Sequence, residues 1–194
     1  MLEMAILGLL KDRAMHGYEL KKELTAQLGQ LWQVSWGSLY PALNRLDKSG
    51  AVERIFPKSE VRRRKNIYRI TPKGEEVFAE ALAEDTATLD DARFGLKLAF
   101  FRYVKPETRV ELLERRRAYL TEKLAAIRSQ LRTYKQRIDD YTYRLMEHGM
   151  ETTTADIAWI DRLIADEKAA RRKGGGRAAA GAARLRLGAR RSKG

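Results

Sequence analysis

The chain has 194 residues, 39 basic against 26 acidic side chains for a formal charge of +13, and no cysteine. The length suits one to two domains, and the lack of cysteine excludes disulfides, thiolate metal sites and cysteine nucleophiles, while His16 and His148 lie too far apart in sequence to suggest a histidine-rich metal site. No apolar run approaches the roughly eighteen residues of a membrane span, and Glu3 breaks the apolar start with no basic stretch before it, so the expectation is a soluble cytoplasmic protein with no membrane partner and no cofactor.

The charge is unevenly spread: residues 1–85 carry a net +2, residues 86–167 a net +1, and residues 168–194 a net +10 with no acidic side chain. The bulk charge is therefore a tail. A nucleic-acid reading of the folded part must rest on local clusters.

Leu2 to Leu10 reads as a helix that is apolar nearly all round, which predicts burial. A polar turn over residues 11–17 follows. A second helix runs from about Gly17 to Leu28, with Leu20, Leu24 and Leu28 on one face, and Gly29 ends it. In the third helix Ser35 and Ser38 are both candidate N-caps. Pro41, three residues after Ser38, would fall in the first turn, where proline is tolerated. Leu39, Leu43 and Leu46 form a core face. Tyr40, Asn44 and Lys48 point away from it, with Ser38 and Arg45 flanking, and Gly50 closes the helix.

Residues 51–57 and 66–70 read as two short strands around the basic run Arg62, Arg63, Arg64 and Lys65. Thr71-Pro72 then caps a fourth helix, whose apolar face holds Val77, Phe78, Ala81 and Leu82. Three short helices followed by a hairpin are the parts of a winged helix-turn-helix, in which the third helix enters the major groove and the basic loop forms the wing. Hydroxyl, amide and cationic groups on that helix can reach phosphates and base edges, and guanidinium groups suit a narrow groove of concentrated negative potential. The plainer reading of the basic run is a solvated loop.

Ile6-Leu7-Gly8-Leu9-Leu10, Met15-His16-Gly17-Tyr18-Glu19-Leu20, Gly37-Ser38-Leu39-Tyr40-Pro41-Ala42-Leu43 and Tyr68-Arg69-Ile70-Thr71-Pro72-Lys73-Gly74, in that order over about 85 residues, resemble the PadR transcriptional regulators. The resemblance implies a homodimeric, usually repressing winged-helix protein with a helical C-terminal dimerisation domain. It also implies that Tyr40, its neighbours on the third helix and the wing contact operator DNA. The candidate DNA-binding set is Ser35, Trp36, Ser38, Tyr40, Asn44, Arg45, Lys48 and Arg62 to Lys65. Trp36 departs from the small residue or proline that family members often carry there; it either touches DNA or packs under the wing.

After Asp85 the pattern changes. Asp90 to Tyr103 reads as an apolar-aromatic helix buried on several sides. Asp91-Ala92-Arg93-Phe94-Gly95 resembles, more weakly, the longer PadR-type C-terminal domain. Pro106 then opens a helix expected to run to His148-Gly149, roughly 60–65 Å at 1.5 Å per residue. Its seam is Leu113, Leu120, Leu124, Ile127, Leu131, Tyr134, Ile138, Tyr141 and Leu145. Steps of four and three over more than three heptads argue for coiled-coil packing, with a second copy of the chain as the simplest partner; the alternative is a helical hairpin within one chain. Thr153 or Thr154 is expected to cap a last helix whose Ile157, Ile160 and Leu163 or Ile164 fold back on the long one.

Residues 168–194 hold eight Ala, six Gly and ten Lys or Arg, which cannot build a core and predict a basic disordered tail. The tail could hold nucleic acid by counterion release or serve only solubility. The fold class is mainly α: a winged helix-turn-helix over 1–85, a long-helix dimerisation domain over 86–167 and the tail.

The function these residues predict is a homodimeric repressor that occludes a promoter inverted repeat, with half-sites about one helical turn apart. A small hydrophobic or aromatic effector could release it, with Trp32, Phe94, Phe100 and Phe101 as candidate lining residues beside Trp36; core packing is the competing role for each. The alternative functions are a non-specific architectural protein acting through the tail, and a coiled-coil module whose winged helix binds protein. No enzyme is expected. Asp90-Asp91 and Asp139-Asp140 are adjacent pairs that diverge by about 100° on a helix, and Gly174 to Gly176 have no strand before them to make a phosphate loop.

Overall fold

The computed structural model describes residues 1–29, 34–55, 66–85 and 87–191, with side chains to Arg172. It divides into two compact units, Met1–Glu84 with Leu89–Lys105, and Asp85–Thr88 with Pro106–Gly194. The apolar-aromatic segment after Asp90 therefore groups with the winged helix rather than with the long helices, contrary to a boundary at residue 85.

In the first unit α1 (Leu2–Asp12) is the central rod: Met4 to Leu10 are all buried, as expected of a helix apolar all round. Around it lie α2 (Gly17–Leu28), α3 (Trp36–Lys48) and α4 (Pro72–Ala83). The turn expected over 11–17 contains a short strand, β1 (Met15–His16), which pairs with β3 (Ile67–Ile70); β3 also pairs with β2 (Val52–Ile55). The sheet is antiparallel in the order β1-β3-β2, with Met15 opposite Tyr68 and Arg54 opposite Tyr68 on the other side. A two-residue strand leaves no period to read in a sequence.

Helix α4 starts as its sequence dictates. Thr71 Oγ1 accepts from the Gly74 N–H at 3.1 Å and donates to the Gly50 carbonyl at 2.6 Å, with Pro72 at the first helical position. Gly74 sits so close to the Ala51 carbonyl that a Cβ there would collide with backbone. Phe78 and Leu82 are buried, but Val77, expected on the same face, is exposed. Helix α5 (Asp91–Ala99) is capped by Asp90, which accepts from Arg93 N–H at 2.8 Å, and a 3-10 turn follows (Phe101–Tyr103). Phe100 meets Phe78 edge-on at 5.9 Å and occupies the space a Cβ on Gly8 would need. Lys97 is buried and donates to the carbonyl of Glu84, the residue that ends α4, at 2.8 Å; a cation there also suits the helix dipole. Arg102 and the Tyr103 hydroxyl both bond Asp12 at the end of α1.

The second unit is an antiparallel hairpin of α6 (Pro106–Tyr134) and α7 (Asp140–Arg191). The single helix expected over 106–148 is interrupted. Asp139 accepts from the Tyr141 and Thr142 N–H groups at 2.8 and 3.0 Å and from the Thr142 hydroxyl at 2.6 Å, so it caps a new helix where the heptads seemed to continue. These bonds hold its carboxyl below the usual carboxylate range, the Thr142 hydroxyl first among them.

Helix α7 in turn does not stop at Gly149. Thr152, Thr153 and Thr154 bond back to the carbonyls of His148, Gly149 and Met150 instead of capping a later helix. It continues to Arg191 through the residues whose composition suggests disorder. Alanine, arginine, lysine and leucine are good helix formers, so a segment unable to build a core can still be helical.

Leu113, Leu120, Leu124, Ile160 and Ile164 are buried in this unit, as the fold-back of the last seam predicts. The ion pairs set the register in view. Arg117 joins Asp161, Arg109 joins Glu167 at 3.2 Å, and Lys168 joins Glu114 at 2.7 Å. Each is at least partly exposed and worth little by itself; the apolar stripe carries the packing. The far end of the seam is different. Ile127, Leu131 and Ile138 are half-buried, and Tyr134, Tyr141 and Leu145 are exposed, Tyr141 to 89%.

Candidate nucleic-acid interface

Ser35, not Ser38, caps α3. Its Oγ accepts from the Ser38 N–H at 3.2 Å, while the Ser38 hydroxyl donates back to the Ser35 carbonyl at 3.0 Å. Both serines are thus occupied in starting the helix. This start puts Pro41 in the second turn, later than expected. The ring stands four residues after Gly37, where the absence of a side chain and an exposed position ease the loss of one backbone bond. The other end closes with Gly50 at φ +76°, the Gly50 N–H on the Asp47 carbonyl at 3.0 Å and the Ala51 N–H on the Leu46 carbonyl at 2.9 Å. This Schellman motif needs the left-handed conformation that glycine adopts freely.

Leu39, Ala42, Leu43 and Leu46 are buried, so the opposite face is the one offered outward. Trp36, Tyr40, Asn44, Arg45 and Lys48 are all exposed. Trp36 is stacked between neighbours: Tyr40 at 5.7 Å and 18°, and Tyr18 of α2 at 6.0 Å and 23°. Lys21 Nζ stands 4.4 Å from the Trp36 ring centre. Tyr18, Trp36 and Tyr40 are 71%, 38% and 46% exposed. Three exposed aromatic rings beside a lysine are unusual on a surface with no partner; such rings combine a flat apolar face with a polar edge. Gly17 leaves room for this ridge, since a Cβ there would come 3.3 Å from the Tyr40 ring.

Asn44 and Arg45, beside the ridge, are already tied down. Arg54 of β2 donates to Asn44 Oδ1 at 2.9 Å and pairs with Asp47 at 2.8 Å, and Arg45 Nε donates to Glu3 at 2.7 Å. Across the sheet Arg69 pairs with Glu53 at 2.7 Å. At the start of α2, Arg13 donates to Glu19 at 2.5 Å; this bond holds the Glu19 carboxyl below its ordinary range and raises the guanidinium.

Tyr18 and Lys21 are the members of this surface that sequence reasoning missed. The signal is the Tyr18-x-x-Lys21 spacing on the exposed side of α2, opposite the face that its leucine periodicity marks. With Lys22, Thr25, Ala26 and Trp36 they line an open cleft of about 540 Å³.

Trp32 and the wing residues Arg62, Arg63, Arg64 and Lys65 lie outside the described residues. Phe94, Phe100 and Phe101 are all buried, and Phe100 is accounted for by its packing on Phe78 and Gly8. Among the described residues no group of histidine and acidic side chains could hold a metal ion, and no helix is long and apolar enough to cross a membrane.

Two family models match the chain: the transcriptional regulator PadR-like family over residues 6–80, and Virulence activator alpha C-term over residues 92–166. The chain is similar to the negative transcriptional regulator PadR of Bacillus subtilis (strain 168), at 23% identity over 84% of this chain and 96% of that protein. Among solved structures, the chain is similar to the crystal structures of Bacillus subtilis PadR in complex with operator DNA (TM-score 0.42) and with p-coumaric acid (TM-score 0.39). Both are 21% identical and cover 86% of this chain and 98% of theirs. The part of the chain that holds α1 to α3, the paired strands and most of α4 is thus the part that matches the transcriptional regulator PadR-like family.

Proposed function

We propose that the chain is a homodimeric, sequence-specific DNA-binding repressor that occludes a promoter inverted repeat. The observation that carries this reading is the outward face of α3, where Trp36 and Tyr40 stack beside Lys21 while the leucine face is buried. Such a helix can lie in a major groove with its rings against sugars or thymine methyl groups and its cations on phosphates. Ser35, Ser38, Asn44, Arg45 and Lys48 flank the ridge, and Arg62 to Lys65 would supply the wing's phosphate contacts. The name of the Bacillus subtilis relative, a negative regulator, favours repression over activation. Work at a promoter would keep the protein in the cytoplasm.

Self-association is the proposed role of the exposed end of the hairpin, where Tyr134, Tyr141 and Leu145 leave apolar surface uncovered. The inner seam, Leu113, Leu120 and Leu124, is already covered within the chain, so the second copy would take Ile127, Leu131 and Ile138 with the exposed three. A small hydrophobic or aromatic effector would release DNA only by binding one dimer arrangement better than the other.

The test is a mobility shift on the duplex upstream of the protein's own gene with excess random competitor. A retarded band that survives competitor supports the reading and yields the operator by footprinting. A band abolished by competitor on this and every other promoter fragment tested would sink it.

A further inference from the structure

Residues 168–194 lie beyond both matched regions, the second of which ends at residue 166. They also outrun the hairpin. Glu107, in the first turn of α6, pairs with Arg171 at 3.7 Å. Helix α6 begins at Pro106, so the antiparallel register carries α7 past the start of its partner near Arg172. The helix nevertheless continues to Arg191, an overhang of roughly 28 Å at 1.5 Å per residue.

The chemistry of the overhang is one-sided. No acidic residue follows Glu167, which itself pairs with Arg109, and ten lysines and arginines follow it. Lys168 and Arg171 answer Glu114 and Glu107; seven basic residues come after Arg172. The segment has no aromatic residue to stack on unpaired bases, as single-strand binders use. Its only large apolar residues are Leu185 and Leu187, too few for the apolar face of a membrane-surface helix or for the buried anchors of a protein interface. Charge without an apolar face suits the regular phosphate array of duplex DNA, where each neutralised phosphate releases counterions.

We propose that the end of α7, from Lys173 on, is a second DNA-binding element that grips the phosphate backbone of duplex beside the operator and reads no sequence. The proposal rests on the reading of the chain as a DNA-binding regulator. It adds affinity that operator and random duplex share, so it raises occupancy at the expense of discrimination.

The test compares the full chain with a chain ending at Arg172, which keeps the ion pairs of the hairpin. A full-length variant in which the seven later lysines and arginines are glutamine controls for length. Affinity is measured on the operator and on a random duplex of equal length from 50 to 200 mM salt, and on vesicles of phosphatidylserine and phosphatidylcholine. Both variants should show a shallower salt slope, by up to about 0.9 for each cation removed. Their affinity for random duplex at low salt should fall at least tenfold, and their preference for the operator should rise. Unchanged slopes on both duplexes would overturn the proposal, as would loss of vesicle binding with duplex binding intact. A shallower slope with no operator preference in any of the proteins would support the tail and defeat the reading of α3.

Discussion

Tyr40 packs one face of its ring on Trp36 and lies along Gly17, so the helix surface and the seat of the ring are fixed together. Tyr40→Phe keeps that stacking and removes only a hydroxyl. The fold should be unchanged, and operator affinity should weaken by about 0.5–1.5 kcal/mol, more if the lost bond is to a charged phosphate. An unchanged dissociation constant would place the reading surface elsewhere. Asn44 and Arg45 should matter less than their chemistry suggests, because each must first leave Arg54 or Glu3. At this scale the sequence was most informative where a residue's role is local: Ser35 and Thr71 both cap the helices that follow them. It was least informative where the role is made by a neighbour from another element. Trp36 is the example: the Tyr18 ring and the Lys21 ammonium that flank it both come from α2.

The hairpin shows how a correct pattern can carry a wrong geometry. The steps of four and three from Leu120 to Leu145 pass through the turn at Asp139 without a break in period. Two antiparallel helices packed on each other carry the same stripe as one continuous helix. Periodicity records which face is apolar and not which way the chain runs. The break did have a local mark, Asp139 followed three residues later by Thr142, whose backbone and hydroxyl it accepts. Asp139→Ala should therefore lower the melting temperature of the α6–α7 hairpin at neutral pH. Because the folded carboxyl is held below its ordinary range, its contribution is full above the unfolded value of about 3.9 and fades as pH falls through the lower folded value. The gap between wild type and variant, followed by thermal melts from pH 7 to pH 3, should narrow below about pH 4. Equal melting temperatures at pH 7 would mean the cap does not stabilise the turn.

For the whole molecule, the winged helix was legible because four motifs fall on its turns and buried helices, where glycine, proline and leucine have few substitutes. Gly8 under Phe100 and Gly74 under the Ala51 carbonyl are such places. The domain boundary was not legible: Lys97 and Arg102 join their segment to α4 and α1 through a carbonyl and a carboxylate, which no hydropathy pattern reveals. The proposed dimerisation rests on what the hairpin leaves uncovered, since an isolated copy would expose Tyr134, Tyr141 and Leu145 to water. The most direct measurement is the stoichiometry and footprint of the complex with the operator, by sedimentation and by chemical protection. Two chains on one duplex are expected, with two protected half-sites whose centres lie about 34–36 Å apart or a multiple of that. One chain per duplex, or a single protected half-site, would contradict this.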